Sequence, residues 1–202
     1  MPSSPTRPAL RARYDRRRDQ LVESAAHVFA ERGYDQTSVQ QLTEEMGLAS
    51  GGLYHYFRGK QDLLIQICDQ LTDPLLAEAE LLLASDDPPQ QQLRELVRLW
   101  VAHVVAHRDA MLVFQQERHL IERGEEWRGV RESRKRFERL VARALERALE
   151  EDGARTPGRL PLAALLGMVN HTAQWYRPGG RLRPEDVADG YVDLLLGRRE
   201  TA

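Results

Sequence analysis

A chain of 202 residues, 42% hydrophobic and 30% charged, has room for one sizeable domain or for a small domain fused to a larger one. That composition excludes a disordered tail, and no apolar run approaches the roughly 20 residues a membrane helix requires. Net charge is −2 but unevenly placed: residues 1–18 hold six arginines against Asp15, giving +5 and leaving −7 for the remainder.

The opening stretch "MPSSPTRPALRARYDRRRDQ" lacks the apolar core of a secretion signal, so a cytoplasmic protein is expected. Residues 1–15, basic and containing Pro and Ser, are expected to form a flexible arm. Such an arm fits either a search for a polyanion or a solvated tail.

The first periodic segment runs from about Arg16 to Arg32, with Leu21, Ala25, Val28 and Phe29 on one stripe and Gly33 available to close it. Thr37 with Gln40 three positions later has the pattern of a capping box. Val39, Leu42 and Met46 then give a short amphipathic helix that Gly47 ends. Ser50 is expected to cap a third helix of barely two turns. In it Leu53 and Phe57 point inward, while Gly51, Gly52, His55 and Tyr56 share the opposite side. Helix, tight turn and second short helix have helix-turn-helix spacing.

Longer helical patterns follow. One runs from Lys60 towards Ala84, with Pro74 expected to kink it or begin a new turn. After "SDDPPQQQ", Leu93, Leu96, Val97, Trp100, Val101 and Val104 recur at helical intervals, and "HRDAMLVFQQERHLIERG" reads as another helix. A long charged helix carries Val130, Phe137, Val141 and Leu145, and two further helices span about Pro161–Tyr176 and Pro184–Leu196. Arg183 stands where Ser or Asp would ordinarily cap the last of these, which leaves that boundary less defined. No segment alternates at period two long enough for a sheet, so the expected fold is all-α, with about nine helices.

Two adjacent glycines at the start of a short helix cost roughly 1 kcal/mol each against Ala, so something besides helix propensity chooses them. Bare backbone and N–H groups at a helix front suit a duplex groove and its phosphates, and Tyr and Ser hydroxyls or a nearby Lys suit phosphate oxygens. Residues Arg16 to Leu64, with "AAHVFAERGYDQTSVQQLTEEMG" and "LASGGLYHYFRGKQDLL", resemble the tetracycline-repressor (TetR) family of bacterial regulators. The resemblance implies a three-helix DNA-binding head over 16–59 and a larger helical ligand-binding and dimerisation domain over 60–202. It implies phosphate contacts for Thr37, Tyr54, Tyr56 and Lys60, and a base-facing set of Ser50, Gly51, Gly52 and His55. Gln40 adds a base or backbone contact, and Leu42, Leu53 and Phe57 form the small core.

The family's dimers form mostly through the last two long helices, so a homodimer on palindromic double-stranded DNA is implied. The stretch "NHTAQWYRPGGRLRPEDVADGYVDLLLG" looks like the C-terminal domain of the family's repressors of fatty-acid, phenylacetate and steroid breakdown, whose inducers are acyl-CoA thioesters. An acyl chain needs an apolar tunnel, for which Trp100, Val104, Met111, Phe114, Met168 and Trp175 are candidates, with Asn170, His171 and Gln174 as polar neighbours. Arg177, Arg131 and Arg134 are candidate phosphate partners. Other outcomes stay open: a repressor of an efflux or other gene induced by a hydrophobic ligand without CoA, or an architectural DNA-binding protein that senses nothing.

Catalytic machinery is not visible. His103, His107, His119 and Glu117 make a metal site geometrically conceivable, but no third ligand has fixed spacing, so neither metal nor resident cofactor is expected. Lone Cys68 sits in an apolar stripe, which suits a buried thiol better than a nucleophile.

Overall fold

The computed structural model describes residues 8–49, 51–151 and 159–197. Among them every regular element is helical: α1 (Pro8–Arg32), α2 (Val39–Glu45), a 3₁₀ turn (Gly52–His55), α3 (Lys60–Leu83), α4 (Pro89–Ala106), α5 (Arg108–Gln116), α6 (Arg118–Ile121), a second 3₁₀ turn (Glu125–Trp127), α7 (Arg128–Glu151), α8 (Leu160–Trp175) and α9 (Pro184–Leu195).

Two hydrophobic clusters organise these elements. The first joins Leu21, Ala25 and Phe29 of α1 to Leu42 of α2, to Leu53 and Phe57, and to Leu63, Leu64 and Ile67 of α3. It does not stop at the head, because Val113, Ile121, Trp127 and Val130 from α5 to α7 complete it. The second gathers the far half of α3, from Leu71 to Ala79, with α4, α7, α8 and α9. A single continuous helix therefore belongs to both cores, and the expected division at residues 59 and 60 falls at its first turn.

Several boundaries differ from expectation for local reasons. Helix α1 starts at Pro8 rather than near Arg16, so residues 8–15 are helical and not an arm. A proline is tolerated in a first turn, where its missing N–H has no partner to lose, and "ALRAR" is built of strong helix formers. Residues 1–7 of the expected arm lie outside the described residues. Helix α3 runs unbroken through Pro74, which sits on the exposed side. The "HRDAMLVFQQERHLIERG" segment divides at Glu117 into α5 and α6. Helix α9 begins at Pro184 as expected, without Ser or Asp: the Asp186 carboxylate accepts from the Arg183 backbone N–H at 3.0 Å and pairs with its guanidinium at 2.8 Å.

Candidate DNA-reading head and effector cavity

Helix α2 is capped one residue later than the sequence suggested. Ser38, with extended backbone, accepts the Gln41 N–H at 3.2 Å, and the Gln41 side chain accepts the Ser38 N–H at 2.8 Å. Thr37 is unavailable as a cap because its hydroxyl is buried and donates to the Gly33 carbonyl at 2.7 Å. Lys60 reaches back from α3, donating to the carbonyls of Tyr34 at 2.8 Å and Thr37 at 3.0 Å, with its ammonium 4.2 Å from the centre of the Tyr34 ring. Thr37 and Lys60, both expected at phosphates, hold the α1–α2 corner, Lys60 with two of its three ammonium N–H groups.

The glycine pair also has a conformational cause. Gly51 takes φ +79°, a left-handed backbone that disfavours any Cβ, and Gly52 comes so close to the turn after α2 that a Cβ would lie 3.2 Å from that of Leu48. The helix expected here is a single 3₁₀ turn, and the Gly51 position before it makes no side-chain cap. Ser50 lies outside the described residues. Leu53 and Phe57 are fully buried beneath this turn, as expected.

What faces outward is a compact set. Tyr54, His55 and Gly51 are exposed, as is Gln40, whose amide donates to Glu44 at 3.0 Å. Tyr56 is half-buried, stacked on Tyr14 of α1 with ring centroids 5.0 Å apart and planes 22° from parallel. The Tyr14 hydroxyl donates to the His55 carbonyl at 3.0 Å, and Arg17 donates to the carbonyl of Met46 at 3.2 Å. Tyr14 was not singled out from the sequence, and Arg17 was counted only among the six arginines of residues 1–18. The signal was there, since Tyr14 and Arg18 continue the α1 stripe of Leu21 and Ala25 backwards at helical spacing.

In the body, a cavity lies between α3, α4, α5, α7 and α8. Trp100, Met111, Phe114 and Asn170 line it as expected, together with Leu71, Thr72, Leu75, Phe137 and Leu166. Arg134 and Glu138 form its polar wall, 3.4 Å apart. The enclosed volume of the cavity is about 60 Å3, at the bottom of a concavity of about 470 Å3 that includes space open to solvent. Trp100 meets Phe137 edge-on, with centroids 5.0 Å apart.

The remaining tunnel candidates lie elsewhere. Val104 is core and Met168 packs against the core, neither lining this cavity. His171, Gln174, Trp175 and Arg177 are exposed. On α8, Leu160, Ala164, Gly167, His171 and Trp175 recur every three or four residues as an uncharged outward stripe, so helical phase carries these side chains away from the interior. Arg131 caps α6 through the carbonyls of Ile121 and Gly124, and Arg134 also pairs with Glu122 at 2.7 Å, lowering that carboxyl's pKa.

No group of three or more His, Cys, Asp or Glu side chains among the described residues is placed to hold a metal ion. The His103 imidazole instead donates to the Leu71 carbonyl at 2.8 Å. Burial pushes the Cys68 thiol far above its ordinary range, leaving an inert sulfur. No described helix is long and apolar enough to cross a membrane.

A helical head with an outward-facing aromatic turn, set on a helical body with its own core, is the architecture of a DNA-binding transcriptional regulator. Residues 21–67 match the family of bacterial regulatory proteins named for tetR, and residues 86–198 match the tetracyclin repressor-like C-terminal domain. The chain belongs to the TetR family; it is a regulator and not an enzyme, and works without a resident cofactor. It is 30% identical over 185 residues to the HTH-type transcriptional repressor KstR2 of Rhodococcus jostii, covering 89% of each chain. The solved structure of the ketosteroid transcriptional regulator KstR2 of Mycobacterium tuberculosis superimposes with TM-score 0.82 at 26% identity, over 90% of this chain and 93% of that one. AibR, solved with isovaleryl coenzyme A and operator DNA, aligns with TM-score 0.74 at 25% identity over 89% and 98%.

Proposed function

We propose that this protein is a repressor that binds a palindromic operator as a homodimer through the Tyr54–His55 face and is released by a hydrophobic small molecule, an acyl-CoA thioester. The head, residues 16–59, does the reading; the body, 60–202, senses and dimerises. One observation carries the reading: Phe114 lines the cavity and packs against both hydrophobic clusters. Anything that displaces it moves side chains shared with the head. A coupling free energy of about 1–3 kcal/mol through such an element is enough to change operator affinity several-fold. Met111, flexible at three bonds, can yield space that rigid aromatics cannot.

The AibR complex supports a CoA thioester as the effector class, and the KstR2 relatives support repression. With two heads on one duplex, each binding event raises the effective concentration for the other. The uncharged stripe on α8, with exposed Leu194 on α9, supports the pairing surface.

The small present volume of the cavity favours a second reading, a duplex-binding protein that senses nothing. A gel-shift on the DNA upstream of its own gene separates the two when repeated with a panel of acyl-CoAs, the matching free acids and free CoA. Release by one thioester and not by CoA alone supports the first reading. Release by a free acid alone moves the effector to ligands without CoA, and indifference to every compound supports the second.

A further inference from the structure

We propose that the first three turns of α1 form a second duplex-contact surface, a cleft in which Arg13 and Arg16 bind backbone phosphate beside Tyr56, and that Tyr14 is a positioning residue for the reading turn. This rests on the duplex-binding reading above and adds residues that reading does not use.

The cleft is a groove of about 620 Å3 between the upstream part of α1 and the reading turn, lined by Arg13, Tyr14, Arg16, Arg17, Gln20 and Tyr56. Arg13 and Arg16 are exposed and have no hydrogen bond or ion pair among the described residues, whereas most other arginines of the fold are paired. Two guanidinium groups held on a helix with no counter-ion, next to a hydroxyl-bearing aromatic, match the charge and spacing of a polyanion backbone. The groove is continuous with the exposed Tyr54–His55 face, because Tyr56 belongs to its wall and follows those residues directly.

Helical order gives this surface a second job. The Tyr14 ring stacks on Tyr56, its hydroxyl donates to the His55 carbonyl, and Arg17 holds the end of α2. The 3₁₀ turn has no side-chain cap of its own, so Tyr14 fixes its last residue from outside. A flexible arm gives neither effect, since it brings charge without a fixed place.

The test uses the full-length protein and two labelled duplexes of equal length, one enriched by this protein from a random library and one scrambled, titrated at several salt concentrations. The Arg13→Ala/Arg16→Ala variant is expected to weaken both duplexes alike and to reduce the slope of log affinity against log salt by about 2 per head, near 0.9 per lost phosphate contact. Tyr14→Phe keeps the ring stack and loses the hydrogen bond; the enriched-to-scrambled affinity ratio is expected to fall about five-fold with the salt slope unchanged. Parental affinity and slope in the double variant would overturn the cleft, and a parental ratio in Tyr14→Phe would overturn the positioning role. If Tyr54→Ala/His55→Ala loses discrimination while both upstream variants match the parent, only this inference fails. If the parent itself ignores duplex DNA, the underlying reading fails with it.

Discussion

The head and the body solve opposite problems with the same helical material. Around the reading turn, backbone carbonyls are pinned by distant side chains: Lys60 holds Tyr34 and Thr37, Arg17 holds Met46, and Tyr14 holds His55. Directional bonds of this kind fix a surface to a fraction of an ångström, which base readout requires. Around the cavity most of the wall is Leu, Met, Phe and Trp, whose contacts are numerous but undirected, with the Arg134–Glu138 pair, Thr72 and Asn170 as its polar part. Such walls can repack at modest cost if volume is conserved. Under the proposed function, the contrast gives rigidity to the part that reads and deformability to the part that senses, with α3 and Phe114 belonging to both.

The most damaging way to probe that contrast is at the shared residue. Phe114→Ala is expected to cost about 2–3 kcal/mol in thermal or urea unfolding, less than a fully buried Phe because its ring is only partly enclosed. It also enlarges the cavity, so an effector is expected to bind at least as tightly while its effect on operator affinity shrinks several-fold. Calorimetric binding of the effector, set against duplex titration with and without it, checks this. Undiminished coupling would show that head and body communicate without Phe114.

Lys60→Met ranks next and tests the head alone. Methionine preserves the stem but removes two hydrogen bonds and the charge over Tyr34, an expected loss of about 2 kcal/mol seen as a lower melting temperature. A lysine that chiefly binds phosphate gives the reverse pattern: parental melting and a salt slope reduced by about 1.

The head was the more legible region because its determinants are local. Leu42, Leu53 and Phe57 follow from helical spacing within a few residues, and Gly33, Gly47 and Gly51 all take the left-handed backbone that ends a helix or turns the chain. What sequence missed there is what crosses long distances: Lys60 to Tyr34, Tyr14 to His55. Glycine was read for its bareness towards DNA alone, whereas the left-handed backbone at Gly51 and the close approach of Gly52 to Leu48 give it a conformational cause as well. The cavity was half legible. Trp100, Met111 and Phe114 announce themselves as large apolar groups, but whether Trp175 or Phe137 joins them depends on how α7 and α8 are rotated. A helix with apolar residues on two faces leaves that phase undetermined, and the outward stripe of α8 absorbed His171 and Trp175.

The weakest link between the two regions is electrostatic and titratable. His27 of α1 lies 2.9 Å from the Asp109 carboxylate of α5 and 3.4 Å from Glu31. Its pKa is raised, first by the hydrogen bond to Asp109 and then by the Glu31 charge. A histidine whose folded value exceeds its unfolded one, about 6.5, stabilises fully below that value and loses its contribution as pH climbs through the raised folded value. The His27→Gln variant is therefore expected to melt below the parent at about pH 5.5 and together with it at about pH 8.5. The side chain is 60% exposed, so the difference is small and shrinks further in high salt. A gap that persists at alkaline pH would mean that His27 joins head to body by packing, and would remove protonation from the coupling between them.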